Sequence, residues 1–365
     1  MPGKFEFLFV SNLELLRFGA DTSSETGGEM SAEPTLDDRK ELDFLLRAFQ
    51  ISRVCRVIAD LKVADKIPIE GSVSVAELAR ECRAQDEPLR RILRLLASVN
   101  IFSITSEGEV THTPRSKLLR TDRRDSMHYA ARFWTSQSSW RAWEYLDVAL
   151  NGSVPHEAAW KLTRFAYLQA HQQEARVFDE MMQHFSDGRH SAIAKSYDFS
   201  GFKRIVDVGG GNGAALREIL KRYPATTGIV FDRADVIAAM PKGEVRLVGE
   251  SGSFFESIPK GADCYLLVRV LHDWSDEDCL RILKQCQEAM PSTATLVICE
   301  QLLKDDPSLG TPSDYLIDTQ MLAMFGHARE RTASEFRILL EKSGFNFQRV
   351  IATEAIVSLI EAVRV

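Results

Sequence analysis

What the chain lacks narrows it first. None of its 365 residues lie in an uncharged apolar run of roughly 18 to 20, the length that spans a bilayer as a helix, so no membrane partner is expected. The apolar run at 5–10 is cut by Glu6 and has neither a basic start nor a small-residue cleavage site, which predicts a cytoplasmic protein without a leader. Six cysteines, at 55, 82, 264, 279, 286 and 299, form no C-x-x-C pair and mostly sit in apolar periodic segments. They read as buried free thiols, and no metal site is expected. Excess positive charge is also missing: 45 Lys and Arg against 52 Asp and Glu leave a net charge of −7, so no nucleic-acid partner is expected.

What is present is apolar mass, 45% of the residues, enough to fill two cores. Residues 1–40 read as an arm and linker. Phe5, Phe7, Leu8 and Phe9 either pack on a partner subunit or precede a later start at Met30, and the polar, breaker-rich 20–40 stretch reads as flexible. Residues 41–182 form a helical second segment. Within it Leu89, Ile92, Leu93, Leu96 and Val99 repeat at helical spacing, and 101–105 alternates before Glu107 and Gly108, the pattern of a winged helix. Arg90, Arg91 and Arg94 raise a DNA-binding reading, but residues 41–120 carry 13 Lys and Arg against 11 Asp and Glu, short of a basic footprint. The 133–182 stretch is helical and rich in aromatics, a core or a wall for an aromatic substrate.

From 183 to 365 strands and helices alternate, predicting an α/β, doubly wound parallel sheet whose ligand lies beyond the strands' carboxyl ends. Its expected strands include 205–208, 228–231, 245–248, 263–271, 295–299 and 347–352. The first feeds Asp207-Val-Gly209-Gly-Gly211-Asn-Gly213, which opens a helix. The last glycine comes one residue early for a dinucleotide fingerprint, and Asp207 would repel a pyrophosphate but suit a cationic, amine-bearing ligand. Asp232 ends the next strand, placed either for ribose hydroxyls or as a helix cap. His272 ends the 263–271 strand, where a neutral imidazole can take a proton from a hydroxyl. Glu300 and Glu330 reach compatible places, each able to accept the other imidazole proton. Glu330 pairing with Arg329 or Arg331 on a solvated loop is the alternative.

Four ordered motifs, 206–213, Leu271-His-Asp-Trp-Ser-Asp-Glu277, Asp318-x-x-Met-Leu322 and Glu330-Arg-Thr332, make residues 40–360 resemble the plant-type, caffeic-acid-type small-molecule O-methyltransferases and their bacterial and fungal secondary-metabolite relatives. The resemblance implies a class I, Rossmann-like methyltransferase domain behind a winged-helix dimerisation domain. It further implies a homodimer, S-adenosyl-L-methionine as cofactor, and an aromatic or polyketide-like substrate. It places Asp207, Gly209, Gly211, Asp232, Ser253, Phe254, Arg269 and Ser186 at the cofactor, and His272 as general base flanked by Glu300 and Glu330. Phe178, Met182, Met321, Phe325 and His327 would face the substrate. Ser253 stands where the family has an aspartate on the adenine amine, a weaker acceptor by about 1 kcal/mol. Arg269 stands near a family lysine beside the adenine, to stack there or to pair with an acid such as Asp232. His327-Ala328 replaces a frequent Gly-Gly. Transfer to a phenolic or enolic hydroxyl is the implied reaction, a decarboxylase, hydroxylase or pericyclase that keeps the cofactor the alternative.

Overall fold

The computed structural model describes residues 34–241 and 243–365, the side chains of 185–187 excepted; the expected arm at 1–33 lies outside the described residues. The chain divides into two compact units, one through Ala131 and one from Arg132.

In the first unit the Leu36–Asp60 helix starts within the expected linker. Thr35 accepts from the Asp38 amide while the Asp38 carboxylate accepts from the Thr35 amide, a capping box that fixes the start and shortens the linker. Shorter helices at Val75–Cys82 and Asp86–Ser98 then lead to a hairpin of Phe102–Ile104 and Glu109–His112, with Val73–Ser74 as a third, antiparallel strand. Leu89, Leu93 and Leu96 face a core with Val75, Leu78, Phe102 and Val110, the winged-helix arrangement that the spacing predicts. On the same helix Arg90 pairs with Asp86 and Arg91 with Glu87. Leu42, Leu45, Leu46 and Phe49 of the first helix stay exposed.

The second unit holds a seven-stranded sheet: β1 (Arg204–Val208), β2 (Thr227–Asp232), β3 (Leu247–Ser251), β4 (Cys264–Val268), β5 (Thr295–Glu300), β6 (Phe345–Ala352) and β7 (Ser358–Arg364), in the order β6-β7-β5-β4-β1-β2-β3. The five strands from β1 to β5 are parallel, and apolar clusters cover both faces, as near-continuous Val, Ile and Leu runs require. Two corrections concern the edge and β4. β7 runs antiparallel to both β5 and β6, because residues 353–357 are too few for a crossover, so the sheet is mixed rather than wholly parallel. β4 stops at Val268 instead of 271: Arg269 takes a left-handed φ of +54, and Leu271–Asp273 form a short 3-10 turn.

The expected division after residue 182 falls inside one continuous helix, Gln172–Ser196. Its end packs Ile193 and Ala194 against Ile205 of the sheet and Leu216 of the Ala214–Arg222 helix, while the Gln137–Trp143 helix meets the Pro312–Phe325 helix around Ala142, Ala323 and Met324. The aromatic helices therefore belong with the sheet. All six cysteines are free, five of them buried, as their apolar settings predict. No helix among the described residues is long and apolar enough to cross a membrane.

Candidate active site

Beyond the carboxyl ends of β1 and β2 the glycine turn closes over Asp207. Gly209, Gly211 and Gly213 all have positive φ. A Cβ on Gly210 would lie 2.7 Å from the Asp207 carboxyl carbon, so that position admits no side chain without displacing the acid. Asp207 is fully buried, and neither of its oxygens has a hydrogen-bond partner. Burial first, and the Asp232 charge second, raise its pKa from 3.8 to about 7. An uncompensated carboxylate under a glycine turn suits a cationic ligand above it, which is the fit that a sulfonium- and amine-bearing cofactor needs.

Asp232 is not the side-chain cap of the next helix. Its Oδ2 accepts from the Gly211 amide at 2.9 Å and its Oδ1 from the Arg233 amide at 2.7 Å, tying the end of β2 to the glycine turn. The Ser253 hydroxyl accepts from the Phe255 amide at 3.3 Å. Phe254 lies edge-on to Phe255 and Trp274, with ring centroids 5.0 and 5.8 Å apart, and its ring is 3.6 Å from where a Gly209 Cβ would be. One aromatic step thus joins the glycine turn to the His272 turn.

His272 is nearly buried, with Nδ1 3.2 Å from Glu300 Oε2, close enough for an ion pair though off-line for a hydrogen bond. Glu300 is fully buried. Its Oε1 accepts the amides of Val270, Leu271 and His272 at 3.0, 2.8 and 3.3 Å, and its Oε2 accepts Arg269 Nη1 at 3.0 Å. Burial would raise this carboxyl, but the His272 and Arg269 charges and the bond from the His272 amide hold it down at about 2. On the other side Nε2 lies 3.3 Å from Asp273 Oδ1, whose side chain is half-exposed, whereas Glu300 is fully buried and held by four donors.

Two placements differ from expectation. Glu330 makes no ion pair with the imidazole, nor does it pair with Arg329 or Arg331. It takes Arg269 Nη1 and Nη2 at 2.8 and 2.6 Å in a two-pronged bond, and Asp318 Oδ1 accepts its amide at 2.8 Å. Arg269 in turn neither stacks beside an adenine site nor meets Asp232, because the left-handed turn seats it between Glu300 and Glu330. Burial would lower its pKa, yet the two carboxylates hold it above that of an ordinary arginine.

Arg331 was not singled out by sequence, its position reading as a loop charge. It is buried, donates to the Leu271 carbonyl at 2.9 Å and the Trp274 carbonyl at 2.8 Å, and pairs with Asp276, so it pins the 329–332 loop to the His272 turn. The Thr332 and Glu335 capping box right after it was the available signal that this loop is ordered.

The substrate-side residues gather less tightly. Phe178 and Met182 are half-buried on the Gln172–Ser196 helix, and the Phe178 ring lies 6.0 Å from Phe133 and under the Arg164 guanidinium. Phe325 pairs with Phe165 at 5.7 Å, and Met321 is half-buried one turn earlier. His327 is exposed just after a γ-turn at Gly326, φ +73 and ψ −55, in which its amide donates to the Phe325 carbonyl at 2.8 Å. The Ser186 side chain lies outside the described set.

Two family profiles match the chain: an O-methyltransferase domain over residues 143–346 and an O-methyltransferase dimerisation domain over 44–122. Phenazine O-methyltransferase of Lysobacter antibioticus is 34% identical over 87% of this chain and 94% of its own. The 3-amino-4-hydroxybenzoate 4-O-methyltransferase of Streptomyces cremeus is also 34% identical, over 87% of this chain and 88% of its own. Among solved structures, the methyltransferase of calicheamicin biosynthesis in its S-adenosylhomocysteine-bound form matches with a TM-score of 0.80 and 26% identity, covering 92% of this chain and all of the other.

Proposed function

The chain belongs to the O-methyltransferase family with its own dimerisation domain, and from that membership we propose that His272 is the general base that frees a phenolic or enolic hydroxyl for methylation. S-adenosylmethionine-dependent O-methylation of a secondary metabolite is the activity of the family, and the cofactor brings the methyl as a sulfonium. The observation that carries the reading is Glu300 against Nδ1. A fixed carboxylate there orients the ring, favours the proton on Nδ1, leaves Nε2 to accept, and compensates the imidazolium once the proton arrives. Asp207, the turn at Gly209 and Gly211, Asp232, Ser253, Phe254 and Ser186 would hold the cofactor. Phe178, Met182, Met321, Phe325 and His327 would hold a flat acceptor of the kind named for the Streptomyces cremeus relative. Because the leaving thioether is neutral, the protein's tasks are alignment and proton removal. The Leu42–Phe49 stripe and the dimerisation match support a homodimer.

The test is incubation with S-adenosylmethionine and a panel of hydroxylated aromatics that includes 3-amino-4-hydroxybenzoate and caffeic acid, with S-adenosylhomocysteine as readout. His272→Ala is expected to bind the cofactor within about threefold of the unsubstituted chain and to lose at least about a hundredfold in transfer. Full turnover in that variant from about pH 6 to 9 would remove His272 as base.

A further inference from the structure

Arg269 breaks two rules at once. It is a non-glycine residue at φ +54, a strained backbone for a long side chain, and it buries its charge. Its partners, Glu300 and Glu330, both have side chains with no exposure, and they come from segments 30 residues apart: the end of β5 and the 329–332 loop. Nη1 is shared between the two carboxylates, and Nη2 completes the two-pronged bond to Glu330.

We propose that Arg269 is a positioning residue for the proton acceptor: by bridging Glu330 to Glu300 it fixes the place and the effective charge of the carboxylate that faces His272. The inference rests on the reading of His272 as base. The charged groups around the imidazole are Glu300 from β5, Asp273 beside it, Glu330 from its loop and Arg269 itself. Arg189 of the Gln172–Ser196 helix acts electrostatically on Arg269 and Glu300. Without Arg269 two buried carboxylates would stand uncompensated beside the ring. The guanidinium cancels one of their charges and occupies the Glu300 oxygen that faces Nδ1. A lysine cannot do the same, since an ammonium offers a point charge rather than a planar fork.

The test uses the full chain with isotope-labelled histidine and two readouts that need no acceptor: titration of the His272 ring by NMR, and S-adenosylmethionine affinity by calorimetry. Arg269→Gln is expected to move the ring titration upward by about one pH unit. The double variant Arg269→Gln, Glu330→Gln, which removes both members of the bridge, should return it to within about 0.3 unit, and cofactor affinity should stay within about threefold throughout. Arg269→Lys, which keeps the charge, should leave the titration within about 0.3 unit and slow transfer to any acceptor found. It decides the matter together with the double variant should Arg269→Gln not fold. An unmoved ring in Arg269→Gln, a full-unit shift in Arg269→Lys or in the double variant, or a tenfold loss of cofactor affinity in any variant overturns the proposal. A failure to methylate any acceptor would instead sink the function and leave both readouts standing.

Discussion

Asp207 shows how a single residue can trade stability for binding. Its carboxyl is raised from 3.8 to about 7, so the stability tied to its protonated form is fully present below pH 3.8 and is lost as pH rises to about 7. The cofactor-free protein is therefore expected to melt lower at pH 8 than at pH 5, apart from its other titrations. Asp207→Asn, which cannot ionise, should abolish that difference, worth up to about 3 kcal/mol between the two pH values, while weakening S-adenosylmethionine binding at least tenfold. Thermal melts of both chains at the two pH values check it, and an equal drop for the variant at each pH would contradict it. At this scale the sequence was a partial guide. The meeting of His272 with Glu300 was legible because both lie at the carboxyl ends of neighbouring parallel strands. The pairing of Glu330 with Arg269 was not, because it hangs on one left-handed residue that no composition or periodicity announces. Arg331 escaped notice for the same kind of reason: a buried arginine and a solvated one are spelled alike.

At the scale of elements, turns carry more of the site than strands do. The strand-turn-helix from β1 through Ala214–Arg222 works only if the turn stays free of side chains where it crosses Asp207. Gly210→Ala puts a methyl 2.7 Å from that carboxyl, in contact with the Asp207 backbone oxygen as well, so the turn must open. Cofactor affinity is expected to fall more than tenfold, with a loss of about 1–3 kcal/mol in stability, measured by calorimetry and by denaturant titration. An alanine variant with unchanged affinity would show that the turn is not the cradle. Strand and helix positions in this unit were readable from apolar runs and glycine breaks. The exceptions have physical causes. Val245 is exposed, so β3 begins only at Leu247, and the terminal hairpin has no helix between its strands to reveal which way β7 runs.

The whole molecule brings in what the isolated chain leaves uncovered. Leu42, Leu45, Leu46 and Phe49 recur at i, i+3, i+4 and i+7 along the first helix, each more than half exposed, with fractions of 57, 56, 69 and 55%. A contiguous apolar stripe of this kind normally marks a contact with another surface, and the dimerisation match over 44–122 includes three of the four residues. The same helix buries Ile58 and Ala59 at its far end, so its carboxyl-terminal turns serve the unit's own core while the earlier turns remain for a partner. Leu45→Glu combined with Phe49→Glu should therefore leave the first unit folded, because neither side chain contributes to the cluster around Leu89, Leu93 and Phe102. The same pair should break self-association, because two carboxylates per copy would be buried without partners at a symmetric contact. Sedimentation equilibrium of the full chain is expected to shift from twice the 41.1 kDa chain mass to that mass, with the circular dichroism spectrum unchanged. A variant that stays a dimer would move the interface off this stripe.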